Sequence, residues 1–220
     1  MNLNNIMTVL VFTVLLLLGR EAKLCAQEPP PMVDQPVVYS EERAELTREY
    51  AALHYGMPMD TIVPQAVVVH WTAGDTWESA YWHFYSAAAQ DGTMNYAAHF
   101  LVDRDGTIFR LLPETAMARH IIGYNWCSIG IENVGGVGGA EDLTEAQLTA
   151  NAALIRYLHA KYPTIAYVFG HYQQDTARDS GLYIEHVAGY RSIKSDPGPQ
   201  FMGALRRCLE GDGPVSYTHL

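Results

Sequence analysis

Two short apolar runs, "QAVVVHWT" at 65–72 and "IAYVFGH" at 165–171, constrain the fold more than any other feature of the chain. Neither alternates with polar residues, so each reads as a strand buried on both faces. A strand covered on both sides needs helices packed over its sheet, and the intervening sequence supplies them. "SEERAELTREYAALHY", 40–55, opens at Ser40 and Arg43, repeats Leu46, Tyr50 and Leu53 at helical spacing, and stops at Gly56. "DTWESAYWHFYSAAAQ", 75–90, pairs Asp75 with Glu78 as a capping box ahead of an aromatic-rich helix. "LTEAQLTANAALIRYLHAKYP", 143–163, does the same with Thr144 and Gln147, and Pro163 ends it. "GPQFMGALRRCL", 198–209, starts a closing helix at Pro199. "AAHFLVDRDGTIFRLL", 97–112, is a hairpin about "RDG", and "SIGIENVG", 128–135, is a strand entering a Gly-rich loop. The expected fold class is α/β, with a central mixed β-sheet flanked by helices in one domain over 60–209.

Residues 40–59 are expected as an N-terminal helix and its connection, preceded by a Pro-rich linker at 27–39. Before that, Met7–Leu18 is an apolar run of 12, too short to span a bilayer comfortably and suited to the core of a secretory signal peptide over 1–26. Its flank "MNLNN" carries no Lys or Arg. The expected location is therefore outside the cytoplasm, periplasmic or extracellular, with no stable membrane insertion after cleavage. "AKLC" is a poor lipidation signal, so an anchor on Cys25 is not expected. The last residues, 210–220, are unlike the end of a domain and read as a tail of possibly non-native origin.

The net charge of −10 and the lack of a basic stripe argue against a nucleic-acid partner. No C-x-x-C occurs, which excludes a zinc site built on paired thiolates. Cys127 and Cys208 are the cysteines left to the domain, and their spacing leaves pairing open.

The histidines carry more information. His70 ends one buried strand and His171 the other, at the strand ends where α/β sheets bind ligands. A rigid turn, "KSDPGPQF" at 194–201, adds Asp196. Two imidazoles and a carboxylate are three ligands for a tetrahedral Zn²⁺ with its fourth position open, the catalytic pattern. A histidine ending an apolar strand serves equally well as a satisfied structural residue, so spacing alone leaves both readings standing.

"VVVHWTAG", "AAHFLVDRDGTIFRLL", "ARHIIGYNWCSIGIENVGG", "FGH" and "KSDPGP" occur in this order, and the chain over 60–209 resembles zinc-dependent N-acetylmuramoyl-L-alanine amidases of the type-2 family and the peptidoglycan recognition proteins. The resemblance implies a single amidase-like catalytic domain that holds Zn²⁺ through His70, His171 and Asp196. It implies Glu132 as general base and Lys194 as stabiliser of negative charge on the scissile carbonyl. His120, Tyr124, Asn125 and Trp71 are implied to contact substrate. The implied reaction is hydrolysis of the amide between N-acetylmuramic acid and L-alanine in peptidoglycan or muropeptides. The alternative is a non-catalytic peptidoglycan-binding domain, disfavoured because all three candidate ligands, Glu132 and Lys194 are present. The chain departs from the family where His171 and Asp196 stand 25 residues apart, an interval much longer than usual. The added stretch is expected to form a lid or rim, and it contains Asp179, eight residues past His171, as a rival third ligand.

Overall fold

The two apolar runs lie side by side near the middle of one sheet in a computed structural model that describes residues 28–210 and the backbone of 216–217. They form β2 (Ala66–Val69) and β6 (Tyr167–Gly170), paired in parallel with Val67 opposite Val168. Around them stand β1 (Met32–Asp34), β3 (Phe100–Val102), β4 (Ile108–Arg110), β5 (Ser128–Asn133) and β7 (Ser216–Tyr217). The order across the sheet is β1-β4-β3-β5-β2-β6-β7. β3 and β4 are antiparallel, the hairpin expected about "RDG", while the other described pairs are parallel, so the sheet is mixed.

The helices are α1 (Glu41–Tyr55), α2 (Trp77–Tyr85), α3 (Glu145–Lys161) and α4 (Pro199–Leu209). Ser40 accepts from the Arg43 amide at the start of α1, and α3 opens with the complete Thr144–Gln147 capping box. The α2 cap is Thr76, which accepts from the Ser79 amide, in place of the expected Asp75. No described helix is long and apolar enough to cross a membrane.

Strand alternation divides the core. Val67, Val69, Ile129, Ile131 and Val168 share one apolar cluster with Leu154, Ile155 and Leu158 of α3 and Phe201 and Leu205 of α4. Ala66, Val68 and Phe169 pack in another with Ile121, Tyr124 and Cys127. Burying each large aliphatic side chain of this kind contributes about 1.5–3 kcal/mol relative to exposure. Continuing the alternation past the strand ends puts His70 on the Val68 side and His171 on the Phe169 side. Within β5 it puts Glu132 on the Gly130 side, away from α3 and α4. The register pairs Val69 with both Ile131 and Gly170, so the next positions along, His70, Glu132 and His171, become neighbours on one face.

Several expectations need correction. The linker over 27–39 contains β1, whose pairing with β4 is continued by Gln35 and Val37 amides donating to Arg110 and Leu111 carbonyls. Its prolines flank the strand, and an edge strand tolerates them. Helix α1 is not an appendage either. Arg43 is fully buried and its guanidinium donates to the carbonyls of Val38, Phe84, Tyr85 and Ser86, which fastens α1 to the end of α2. Leu53, expected on the buried stripe of α1, faces outward, as does His83 on α2. Cys127 and Cys208 are both free, the first buried and the second exposed. The signal segment 1–26, Cys25 and all of the tail except Glu210 and the 216–217 backbone lie outside the described residues.

Candidate metal centre and its cavity

The structure brings His70, His171 and Asp196 together, all buried. His70 Nδ1 lies 3.0 Å from His171 Nδ1 and 3.2 Å from Asp196 Oδ2, and His171 Nδ1 lies 3.1 Å from the same oxygen. Asp179 is exposed on a 3-10 turn (Thr176–Ser180) and takes no part in this cluster.

Each of the three is held by backbone. The His70 amide donates to Ile131 O (2.8 Å) and its carbonyl accepts from Asn133 N (3.1 Å), so the β2–β5 ladder runs on through the histidine. His171 directly follows β6, where the Gly170 amide donates to Gln173 Oε1. Asp196 O accepts from Tyr172 N at 2.9 Å, which clamps the turn to the end of β6, and the Asp196–Pro197 peptide is cis. Gly198 follows at φ 88°, pressed against the Glu141 carboxylate, which in turn accepts from the Gln200 amide at the start of α4. A side chain at 198 would meet both the left-handed backbone and that carboxylate.

The protonation pattern follows from the bonds behind His70. Its Nε2 lies 3.0 Å from His120 Nδ1, and His120 Nε2 lies 3.3 Å from Ser128 O. A carbonyl can only accept, so His120 carries its proton on Nε2, its Nδ1 accepts, and His70 must carry its proton on Nε2. The lone pair of His70 Nδ1 is then directed at His171 and Asp196. Behind His171, Nε2 has no partner among the described residues. A lone pair and a carboxylate oxygen converging with a second imidazole nitrogen form a donor set suited to a borderline-soft divalent cation. Gly130 leaves room for this chain, since a Cβ there would stand 2.8 Å from the His120 ring.

Electrostatics set the cluster apart. Burial pushes His171 down to about 4, helped by His70 and opposed by Asp196. Burial acts to raise Asp196, but hydrogen bonds and charge from His171 and His70 outweigh it and hold the carboxyl below the usual range. Glu132 behaves oppositely: burial, then the nearby Asp196, push its pKa well above the ordinary value, with Lys194 opposing. Its Oε2 is buried without a hydrogen-bond partner among the described residues.

These groups open on a cavity of about 850 Å³ that Trp71, His120, Glu132 and Lys194 also line. Tyr124, expected in the groove, does not reach it. Its ring is in the core and its hydroxyl donates to Gln174 O. Asn125 does line the cavity, although it is fully buried, and its side-chain oxygen accepts from the His120 and Ile121 amides. His120 has both ring nitrogens engaged within the protein. Its place is behind His70, with neither nitrogen left for substrate. Sequence reasoning passed over Arg119, Tyr96 and Tyr190, which line the cavity and bond to one another. For Arg119 the available signal was its place next to His120 in the sequence.

An α/β sheet carrying a buried His-His-Asp cluster and an unpartnered carboxylate at the ends of its central strands defines a class of candidate metal-dependent proteins. The family model for N-acetylmuramoyl-L-alanine amidase matches residues 59–199, and the chain belongs to that family. The endolysin of Escherichia phage T7 is 34% identical over 85 residues, covering 37% of this chain and 53% of that protein. The endolysin of Enterobacteria phage K11 is 31% identical over 86 residues, covering 37% and 54%. The chain thus spans about half the length of the curated relatives it matches. Among solved structures, a selenomethionine AmpD derivative has a TM-score of 0.53 at 23% identity, covering 83% of this chain and 97% of its own. A mutant PlyL structure has a TM-score of 0.50 at 14% identity, covering 83% and 100%. At these identities the two structures establish the shared fold.

Proposed function

We propose that the protein is a zinc-dependent N-acetylmuramoyl-L-alanine amidase that cleaves the amide between N-acetylmuramic acid and L-alanine in peptidoglycan or muropeptides outside the cytoplasm. The observation that carries this reading is the convergence of His70, His171 and Asp196 beside a carboxylate whose proton affinity is raised. Membership of the amidase family supports the substrate class.

His70 Nδ1, His171 Nδ1 and Asp196 Oδ2 would hold the ion. When bound, zinc polarises a carbonyl and lowers the pKa of water toward about 7. Glu132 would take the proton of the attacking water. Burial makes it a stronger base than an exposed carboxylate, and the same proton can pass to the departing amine of L-alanine. Lys194, on the cavity wall, would oppose the negative charge that develops on the carbonyl oxygen. His120 would fix the His70 ring, and Trp71 would form part of the wall against substrate.

The test is release of stem peptides from cell-wall sacculi by protein lacking residues 1–26, with and without a chelator. The expected result is metal-dependent release, with Glu132→Gln lowering turnover by about 10²–10⁴-fold. Continued cleavage after complete metal removal, or full turnover by Glu132→Gln, refutes the mechanism.

A further inference from the structure

The long interval between His171 and Asp196 is an ordered strap. His54 and Glu185 pair across a buried contact of 2.9 Å, and the His186 amide donates to the His54 carbonyl. Trp126 Nε1 donates to Leu182 O, and the Ile184 amide to Gly123 O. Further on, the Tyr190 hydroxyl accepts from Arg119 and its ring lies 4.5 Å from that of His54. Ser192 is held through its carbonyl and hydroxyl by the Gln174 amide. Tyr190 and Ser192 are therefore both pinned, and the backbone of Arg191 between them is fixed.

The Arg191 side chain is not. Arg191 is exposed on the cavity wall with no hydrogen bond or ion pair among the described residues. That is uncommon in this molecule: Arg43, Arg48, Arg104, Arg110, Arg119, Arg156, Lys161, Arg178 and Arg206 all have polar partners. The described cations left without one are Arg191, Lys194 and Arg207, and the first two line the same cavity. Lys194 already acts on Glu132, which leaves Arg191 as the cavity-wall cation with no charged partner among the described residues, placed to meet an anion. A guanidinium on a fixed backbone presents a planar fork matched to a carboxylate.

We infer that Arg191 is a specificity-determining residue that receives a carboxylate of the acidic peptide being cleaved, on the leaving-group side of the scissile amide. The inference rests on the peptidoglycan reading, and it gives the added strap a role in substrate choice, because an enzyme so equipped favours stem peptides with free carboxylates over amidated ones.

The test compares binding of N-acetylmuramoyl-L-alanyl-D-glutamate and its diamide by calorimetry, using zinc-loaded protein with the Glu132→Gln background to suppress turnover. The dicarboxylate is expected to bind about 5- to 20-fold more tightly, a range between exposed and charge-assisted pairs. That ratio should shrink as salt rises. Adding Arg191→Gln should reduce it to below about twofold, and Arg191→Lys should restore part of it. Equal affinities for the two ligands without the Arg191 change, or a full ratio in Arg191→Gln, overturns the inference. Failure of zinc-loaded wild-type protein to cleave either ligand counts against the hydrolytic reading instead, while the binding ratio still decides the role of Arg191.

Discussion

Replacing His120 by phenylalanine tests the hydrogen-bond chain behind the metal centre. Phenylalanine keeps a ring over Gly130 but removes the nitrogen that accepts from His70 Nε2 at 3.0 Å. His70 is 1% exposed, so its N–H has no water to turn to. A buried donor left unpaired costs about 1–3 kcal/mol. For a domain of this size each kcal/mol lowers Tm by about 2–4 °C, which predicts a fall of roughly 2–12 °C for metal-free protein. The second effect is on tautomers. Without His120 nothing holds the proton on Nε2, and the proton can move to Nδ1, where it blocks the ion. Loss of such an outer partner lowers metal affinity by about 10–100-fold. Competition with a chromophoric chelator measures the affinity, and calorimetry of the metal-free protein measures the stability. Glutamine at 120, which offers an acceptor oxygen, should recover part of both. His120→Phe protein that binds zinc as tightly as wild type refutes the tautomer argument, even if its Tm falls.

Other consequences can be measured directly. Asp196→Ala should lose zinc on gel filtration while Asp179→Ala keeps it, and the reverse pattern would exchange the third ligand. His99 is fully buried and held at about 4, against an ordinary 6.5, by burial. Its native form resists a proton that the unfolded chain accepts, so the stability it contributes is complete above pH 6.5 and is lost as pH falls toward 4, about 3 kcal/mol in all. Denaturant titrations across that window should show a flatter slope in His99→Gln, and an unchanged slope would count against it. Gly198→Ala forces a side chain into a φ of 88° against Glu141 and should destabilise by about 1–3 kcal/mol while weakening zinc binding through the displaced turn. Normal zinc affinity in that variant would show that the turn does not position Asp196.

The parts of this molecule legible in the sequence are those governed by neighbours along the chain. The runs at β2 and β6 announce burial on both faces because no polar residue interrupts them. Thr144 and Gln147 announce the start of α3 because a capping box closes within four residues. What escaped depends on partners distant in sequence. Arg43 belongs inside because carbonyls 41 and 43 positions away receive its guanidinium. His120 looks like a substrate ligand until His70, 50 positions earlier, is seen to occupy its Nδ1. Tyr124 sits beside groove residues in sequence, yet the Gln174 carbonyl draws its hydroxyl into the core. β1 is three residues long, and its pairing with β4 is invisible among the prolines around it.

The three side chains of the cluster come from distant stations on the chain, with His70 and Asp196 separated by 126 positions. Asp196 comes last of the three along the chain, beyond the strap, and its turn is clamped between β6 and the start of α4. A chain cut before the strap would carry two of the three donors and no complete centre. The cluster thus depends on segments far from either histidine: a lesion in the strap or at the start of α4 would unmake the centre without touching His70 or His171.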